Sequence, residues 1–219
     1  ADTIEGGDGN DTIEGGLGSN TIGGGVGSDT VSYEHATGVS LALANGTGTA
    51  GHGTFTTVWG STDTLTGFEN VIGSAQADII NVSSNLANVH GLIQGGGGDD
   101  TITVNYGNPN YFTVYGGDGN DLLTDGGGAG GSGILDGGAG DDTLIHSPSS
   151  MAPDTLIGGD GNDTIHAGHS PDSISAGDGN DFVNMTWGGD SIDGGAGEDI
   201  LFFQANSDNA GAPVQFDGR

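Results

Sequence analysis

Glycine-rich hexads that end in aspartate recur along the chain, beginning with Gly6-Gly7-Asp8-Gly9-Asn10-Asp11. The chain has 30 acidic residues and one basic residue, so these carboxylates have almost no basic partners. Nothing in the pattern separates an acid from a base, as a catalytic pair of carboxylates requires. Repeated carboxylates of this kind are instead positioned for a hard cation, and the chemistry that they indicate is metal coordination by oxygen.

The first hexads run in tandem with a period of nine residues. The three copies are 6–14, 15–23 and 24–32, and each carries one aliphatic residue after the hexad: Ile13, Ile22 and Val31. Glycine tolerates the positive φ angles of tight turns, and three residues with one inward aliphatic make a minimal strand. Each nonapeptide therefore predicts a turn followed by a short strand, which is half of one coil.

This repeat resembles the hemolysin-type calcium-binding family, known as RTX proteins. The resemblance implies an all-β fold, a right-handed parallel β-roll (β-solenoid) with two short strands and two turns in each coil. It also implies that several Ca²⁺ ions lie between stacked turns, bound by the last Asp of each hexad and by glycine carbonyl oxygens. Asn20 stands where Asp is expected, which weakens that turn as a site. The residues to which the resemblance assigns calcium are Gly6, Gly9, Asp11, Asp29, Gly95, Asp100, Gly116, Gly119, Asp121, Gly137, Gly140, Asp142, Gly158, Gly161, Asp163, Asp172, Gly177, Gly179, Asp181, Asp190, Gly194, Gly197 and Asp199.

The spacing of the later hexads predicts an asymmetric roll. From Asp100 to Asp163 their final aspartates are 21 residues apart, and from Asp163 to Asp199 they are 18 apart. Eighteen residues make one full coil, and 21 make a coil with one half lengthened by three, so all these hexads are expected on one edge. The opposite edge is predicted to be variable loops, including 143–154, until aspartate returns in register at Asp172 and Asp190. Asp154 is therefore expected to lie in a loop that binds no calcium.

The sequence divides into three segments of one continuous solenoid. Residues 1–32 form N-terminal nonapeptide coils, 33–94 a widened or interrupted stretch, and 95–219 the C-terminal roll with a terminal cap. In the middle segment, alternating Val39, Leu41 and Leu43 predict a strand with one buried face. Residues 45–60 are expected to form a long hairpin or loop that leaves the roll, and 73–81 re-enter the register. Asp63 and Glu69 are either additional calcium ligands or solvated carboxylates.

Composition excludes several classes of function. A formal charge of −29 leaves no basic patch for nucleic acid or for an anionic membrane surface, and no apolar run approaches the roughly 20 residues of a membrane span. Cysteine is absent, so disulfides cannot stabilise the chain. Neither a His-Glu-x-x-His nor a Gly-x-Ser-x-Gly motif occurs, and no enzyme activity is expected. His166 and His169 are expected to be turn residues rather than ligands of a transition metal, because a third ligand is lacking.

Two functions remain open from the sequence. The first is a non-catalytic structural or adhesive protein, secreted by a bacterium to the medium or cell surface and able to assemble into a fibre or surface layer. The second is the secretion and folding module of a larger secreted enzyme or toxin. The half-repeat at 2–5 and the apolar residues near the other end lead us to expect head-to-tail self-association in calcium.

Overall fold

In the computed structural model, the described residues are 1–44, 47–54, 57–84, 90–106, 111–126, 132–150, 152–185, 188–203 and 215–218. Secondary structure in these ranges consists of short strands joined by turns. No helix in these ranges has the length and apolar character that crossing a membrane requires. In chain order the strands are β1 (Thr3–Asp8), β2 (Thr12–Glu14), β3 (Thr21–Val26), β4 (Thr30–Ser32), β5 (Val39–Ala44), β6 (Thr47–Thr54), β7 (Thr57–Thr66), β8 (Asn70–Ile72), β9 (Ile79–Ser84), β10 (His90–Gly97), β11 (Thr101–Tyr106), β12 (Tyr111–Asp118), β13 (Leu122–Asp125), β14 (Ser132–Ala139), β15 (Thr143–His146), β16 (Thr155–Asp160), β17 (Thr164–His166), β18 (Ser173–Asp178), β19 (Phe182–Met185), β20 (Ser191–Gly195), β21 (Ile200–Phe203) and β22 (Gln215–Gly218).

The strands form two sheets that the chain visits alternately. Sheet A has the order β1-β3-β7-β6-β5-β9-β11-β13-β15-β17-β19-β21, and sheet B has the order β2-β4-β8-β10-β12-β14-β16-β18-β20-β22. Apart from the pairs that involve β6, neighbouring strands are parallel. The chain is a parallel β-roll of about eight coils, as the sequence predicted. We call the turns that lead from sheet B to sheet A the B-to-A edge, and those that lead back the A-to-B edge.

The core is a row of aliphatic side chains between the sheets. Ile13, Ile22 and Val31, the inward residues predicted from the first repeats, are all buried. The later coils repeat this arrangement with Ile102, Val114, Leu123, Leu135, Leu144, Leu156, Ile165 and Ile174, each at most 2 % exposed. Burying one such side chain contributes roughly 1.5–3 kcal/mol, so each thin coil gains only a few kcal/mol from its core. The turns must therefore supply much of the specificity of the fold.

The middle segment differs from the prediction at residues 45–60. The expected hairpin does not leave the roll where it is described: β6 pairs antiparallel with β5 and with β7, and all three lie in sheet A. β7 then pairs in parallel with β3, matching Thr64 to Thr21, so the excursion is inserted between two coils. Strand pairing satisfies backbone groups that a projecting loop would leave to solvent. The predicted strand at Val39, Leu41 and Leu43 is confirmed, and all three side chains are buried.

Candidate metal centre

A ladder of aspartates runs along the B-to-A edge. The backbone N–H of each final hexad Asp donates to Oδ1 of the equivalent Asp in the next coil, at 2.7–3.1 Å. In chain order the ladder contains Asp78, Asp100, Asp121, Asp142, Asp163, Asp181 and Asp199. All the strong hexads after residue 94 therefore lie on one edge, as their spacing predicted. One carboxylate oxygen per turn is used by this stacking.

In most of the ladder aspartates, and in several aspartates of the A-to-B edge, the second carboxylate oxygen is buried and has no hydrogen-bond partner among the described residues. This holds for Oδ2 of Asp11, Asp29, Asp100, Asp121, Asp142, Asp163, Asp181 and Asp190, all of them predicted calcium ligands. A buried, unpaired acceptor is rare in a folded protein because desolvating it costs free energy. A row of them at equivalent positions indicates that something other than the protein binds these oxygens.

Backbone carbonyl oxygens lie beside the unpaired carboxylate oxygens. A methyl group placed on Gly116 would collide with Oδ2 of Asp121 and with the carbonyl oxygen of Gly137 in the next coil. The same pair of neighbours, from the same turn and the next, surrounds Gly95, Gly137 and Gly158. Oxygen atoms from two successive turns therefore converge at the first hexad position. A set of carboxylate and carbonyl oxygens is what Ca²⁺ prefers.

Glycine at the second and fourth hexad positions is required by conformation and by space. Gly117 has a φ of 122° and Gly119 a φ of 132°, where other residues are strained. A methyl group on Gly117 would also collide with the carbonyl oxygen of Gly96 in the preceding coil. The predicted residues Gly9, Gly140, Gly161, Gly177, Gly179 and Gly197 share this positive φ, whereas Gly6, Gly95, Gly116, Gly137, Gly158 and Gly194 hold the first hexad position.

In two turns on the B-to-A edge, the side chain at the last hexad position is satisfied by hydrogen bonds within the protein. Asn20 replaces Asp in the ladder: its Oδ1 accepts from the Asp2 N–H at 2.9 Å, and its Nδ2 donates to the carbonyl oxygens of Gly15 and Gly18 at 2.9 and 3.2 Å. In the turn that ends at Asp78, Oδ2 accepts from the Ser74 N–H at 2.6 Å. The amide of Asn20 thus satisfies two carbonyl oxygens of its own turn, those of Gly15 and Gly18. Among the described residues with a buried, unpaired side-chain oxygen, neither Asn20 nor Asp78 occurs.

The A-to-B edge carries two shorter ladders. At the N-terminal end Oδ1 of Asp29 accepts from the Asp11 N–H, and Oε2 of Glu69 accepts from the Asp29 N–H, each at 2.9 Å. Farther along, the N–H groups of Gly133, Asp154 and Asp172 donate to Oδ1 of Asp154, Asp172 and Asp190, at 2.8–2.9 Å. The hexads 6–11 and 24–29 therefore belong to this edge. The ladder from Gly133 to Asp190 requires no glycine hexad.

Asp154 lies in a turn without a glycine hexad, as predicted, but this turn is not a variable exposed loop. Asp154 is 3 % exposed, belongs to the ladder, and has an unpaired Oδ2. The alternative of a solvated carboxylate is also wrong for Asp63, which is fully buried and accepts from the Asn20 N–H at 2.7 Å and the Tyr33 hydroxyl at 3.2 Å. Asp172 differs from the other predicted ligands, because its Oδ2 lies 3.0 Å from Nδ1 of His146.

Burial makes the ladder carboxylates weak acids. Desolvation raises the pKa of Asp100 to about 8, of Asp142 to about 7 and of Asp163 to about 6, and repulsion between neighbouring carboxylates adds to the effect. The N–H groups that donate to them act in the opposite direction. The ionised ladder is therefore unfavourable without a compensating positive charge.

Sequence reasoning missed one buried group of a different composition. Asp125, His146 and Asp154 are all buried, and one ligand atom from each lies within 4.8 Å of the other two. Asp125 and His146 occupy inward positions of sheet A, where the neighbouring coils have Val104 and Ala167. An ionisable residue two places after an inward leucine, as in Leu123 and Leu144, is the signal that could have identified them. Among the described residues, His166 and His169 do not join such a group.

Comparison with protein families agrees with the repeat geometry. The family model for the RTX calcium-binding nonapeptide repeat (4 copies) matches residues 1–31, 92–108, 113–129, 152–184 and 186–209, more than half of the chain. Repeats of this type bind calcium in a structural β-roll, which is not a catalytic fold, and they occur in secreted bacterial proteins. The comparison with curated proteins finds no match for the chain.

Proposed function

The chain belongs to the RTX calcium-binding repeat family, and we propose that bound calcium folds it into a rigid, non-catalytic roll that works outside the bacterial cell. One observation carries the proposal: successive turns bury a carboxylate oxygen that no described protein group satisfies. A cation that occupied these positions would supply both the missing partner and the missing positive charge.

The proposed ligands follow from the convergence of oxygens between turns. Each ion is bound by Oδ2 of one hexad Asp, such as Asp121, and by carbonyl oxygens of the glycine-rich part of neighbouring turns, such as that of Gly137. The same assignment applies to the turns that end at Asp100, Asp142, Asp163, Asp181 and Asp199, and on the other edge to Asp11, Asp29 and Asp190. Asn20 and Asp78 are outside it, because their turns are satisfied internally.

The electrostatics favour a protein that folds only where calcium is abundant. A formal charge of −29 opposes compaction, and buried carboxylates with raised pKa values add to that cost near neutral pH. Extracellular calcium modules have dissociation constants of about 10⁻⁴–10⁻³ M, which cytosolic calcium does not reach. The chain is therefore expected to be unfolded during synthesis and to fold after export.

Circular dichroism during a calcium titration tests this proposal. The far-ultraviolet spectrum is expected to change from disordered to β-rich as calcium rises into the millimolar range, and to revert when a chelator is added. Magnesium at the same concentration is the control, because its strict octahedral geometry suits these sites poorly. A β-sheet spectrum that persists after prolonged dialysis against chelator would contradict calcium-dependent folding.

We further propose a structural or adhesive role that involves self-association. Ile200, Phe202 and Phe203 on β21 are 61, 50 and 41 % exposed, and the Phe202 ring stacks on Phe182 with centroids 6.3 Å apart. Such a cluster at one end of a roll favours packing against another coil. Contacts of this head-to-tail kind do not close and tend to build filaments.

Light scattering in saturating calcium distinguishes this role from that of a secretion and folding module. The chain is expected to associate in calcium, and the double variant Ile200→Ser/Phe202→Ser to remain monomeric while it folds normally. Leu92→Ser, which changes an exposed apolar residue in the middle of sheet B, is the matched control. A strictly monomeric chain at high concentration would instead favour the module of a larger secreted protein.

A further inference from the structure

A buried polar cluster interrupts the apolar core near the A-to-B edge. Asp125 ends β13 and pairs in register with His146, which ends β15. Asp154, from the turn before β16, and Asp172, from the turn before β18, approach the same imidazole. All four residues are at most 3 % exposed. One imidazole thus lies among three carboxylates in the interior of the roll.

The two imidazole nitrogens have different surroundings. Nδ1 lies 3.0 Å from Oδ2 of Asp172, at hydrogen-bond distance, which favours a proton on Nδ1. Nε2 is buried and has no hydrogen-bond partner, and it lies 3.5 Å from Oδ2 of Asp154 and 3.7 Å from Oδ2 of Asp125. Oδ2 of Asp154 is likewise buried and unpaired. Nε2 therefore faces two carboxylate oxygens across a short distance, and in the neutral ring it carries a lone pair.

We propose that Nε2 of His146, Oδ2 of Asp125 and Oδ2 of Asp154 bind one divalent transition-metal ion of the zinc class, a site separate in kind from the calcium turns. Ligand atoms about 2.0–2.2 Å from a tetrahedral zinc ion lie roughly 3.3–3.6 Å from one another. The two nitrogen-to-oxygen distances are close to this range but too long for good hydrogen bonds. Two of the three distances among the donors are thus close to those of a zinc site, and each of the three residues places a ligand atom within 4.8 Å of the other two.

The composition of the cluster separates it from the calcium sites. Calcium takes oxygen ligands, whereas a neutral imidazole nitrogen suits zinc and related ions. The contact between Asp172 and Nδ1 is the carboxylate-histidine pair that commonly orients a metal-bound imidazole, so Asp172 is a positioning residue here. A surface depression of about 340 Å³ lies beside His146, and Ile145, Pro148 and His166 also line it.

The cluster also requires positive charge. Burial lowers the pKa of His146, but the hydrogen bond to Asp172 and the charges of the surrounding carboxylates outweigh burial and raise that pKa. A protonated His146 in a purely ionic cluster is the competing arrangement, and it would leave Nε2 with no lone pair for a metal. The two arrangements differ in whether the folded protein takes up zinc.

Isothermal titration of Zn²⁺ into the full chain, folded in about 10 mM calcium, tests the site. The native chain is expected to bind one tight equivalent that the excess calcium does not displace. His146→Gln is expected to weaken this step at least 100-fold, and Asp172→Asn about 10–100-fold, as for other residues that orient metal ligands. His166→Gln, on the neighbouring strand β17 and outside the cluster, is the matched control and should leave the tight step unchanged.

The native chain alone can overturn the proposal, whether or not the variants fold. Absence of a stoichiometric zinc step in the calcium-loaded protein would establish the ionic cluster instead. Equal zinc affinity in the native chain and a folded His146→Gln variant would also overturn it, because the metal would then be bound elsewhere. Co²⁺ provides a second measurement: the site predicts the strong visible absorption of a four-coordinate ion, whereas weak octahedral absorption would contradict it.

Discussion

Asp142, in the middle of the B-to-A ladder, provides the sharpest test of how the turns stabilise the roll. Its Oδ1 accepts the buried Asp121 N–H at 2.7 Å, and its Oδ2 is unpaired. Replacing it with Ala removes a charge-assisted hydrogen bond, which costs about 1.5–3 kcal/mol. If its calcium site has a dissociation constant of about 10⁻⁴ M, then about 10 mM calcium contributes another 2.7 kcal/mol or so that the variant loses. The expected loss in unfolding free energy is therefore about 4–6 kcal/mol.

Asp142→Asn separates the two contributions. Its amide oxygen can still accept the Asp121 N–H, so the hydrogen bond is kept without its charge assistance, and the calcium contribution is lost. That loss is expected to grow by about 1.4 kcal/mol for each tenfold rise in calcium, whereas the difference between the Asn and Ala variants stays constant. The assay is urea denaturation at about 1 and 10 mM calcium.

Asp160→Asn is the matched control, because it removes an exposed carboxylate from the next hexad along the edge. A surface change of this kind is expected to alter the unfolding free energy by no more than about 0.5 kcal/mol. The reasoning is refuted if Asp142→Ala and Asp160→Asn have equal effects, or if the loss in Asp142→Asn does not depend on calcium.

Three further predictions follow from individual turns. Asn20→Asp replaces an amide that binds two carbonyl oxygens with a carboxylate, so it is expected to steepen the calcium dependence of unfolding in the same urea assay; an unchanged slope would count against the assignment. Without calcium, the raised pKa values of Asp100, about 8, and Asp142, about 7, mean that the folded state binds more protons than the unfolded state between about pH 4 and 8. Stability should therefore fall as pH rises through this range, and circular dichroism in chelator should show β structure gained on acidification; a spectrum that does not respond to pH would contradict this. Gly117→Ala is expected to cost at least about 1–3 kcal/mol from its φ of 122° alone, whereas Gly189→Ala, with no atom within 4 Å of the new methyl group, should cost much less in thermal denaturation.

The coil and its core could be predicted because the repeat encodes them locally. A nonapeptide fixes where the chain turns and which residue points inward, and Ile13, Ile22 and Val31 are buried as predicted. Spacing also placed the later hexads on one edge. Both features depend only on counting residues within one coil or between two.

The features that were missed depend on contacts between distant coils. Alternation in β5 predicted a strand but not that β6 would lie antiparallel between β5 and β7 in sheet A, since direction is not encoded in a period of two. Asp154 has no glycine hexad, and its place in the ladder appears only from the Gly133 N–H that it accepts. His146 and Asp125 lie two places after the inward Leu144 and Leu123, which marks them as inward, but their contact with each other depends on how two coils stack.

The central claim is that calcium binds between the Asp Oδ2 atoms and the carbonyl oxygens of neighbouring turns. Anomalous diffraction from crystals grown in calcium measures this directly. We predict a row of calcium peaks along the B-to-A edge, each between a hexad Asp from Asp100 onward and the next coil, with no peak in the turns that end at Asn20 and Asp78. A map without peaks beside Oδ2 of Asp121 and Asp142, or with equal peaks at the Asn20 turn, would contradict the account.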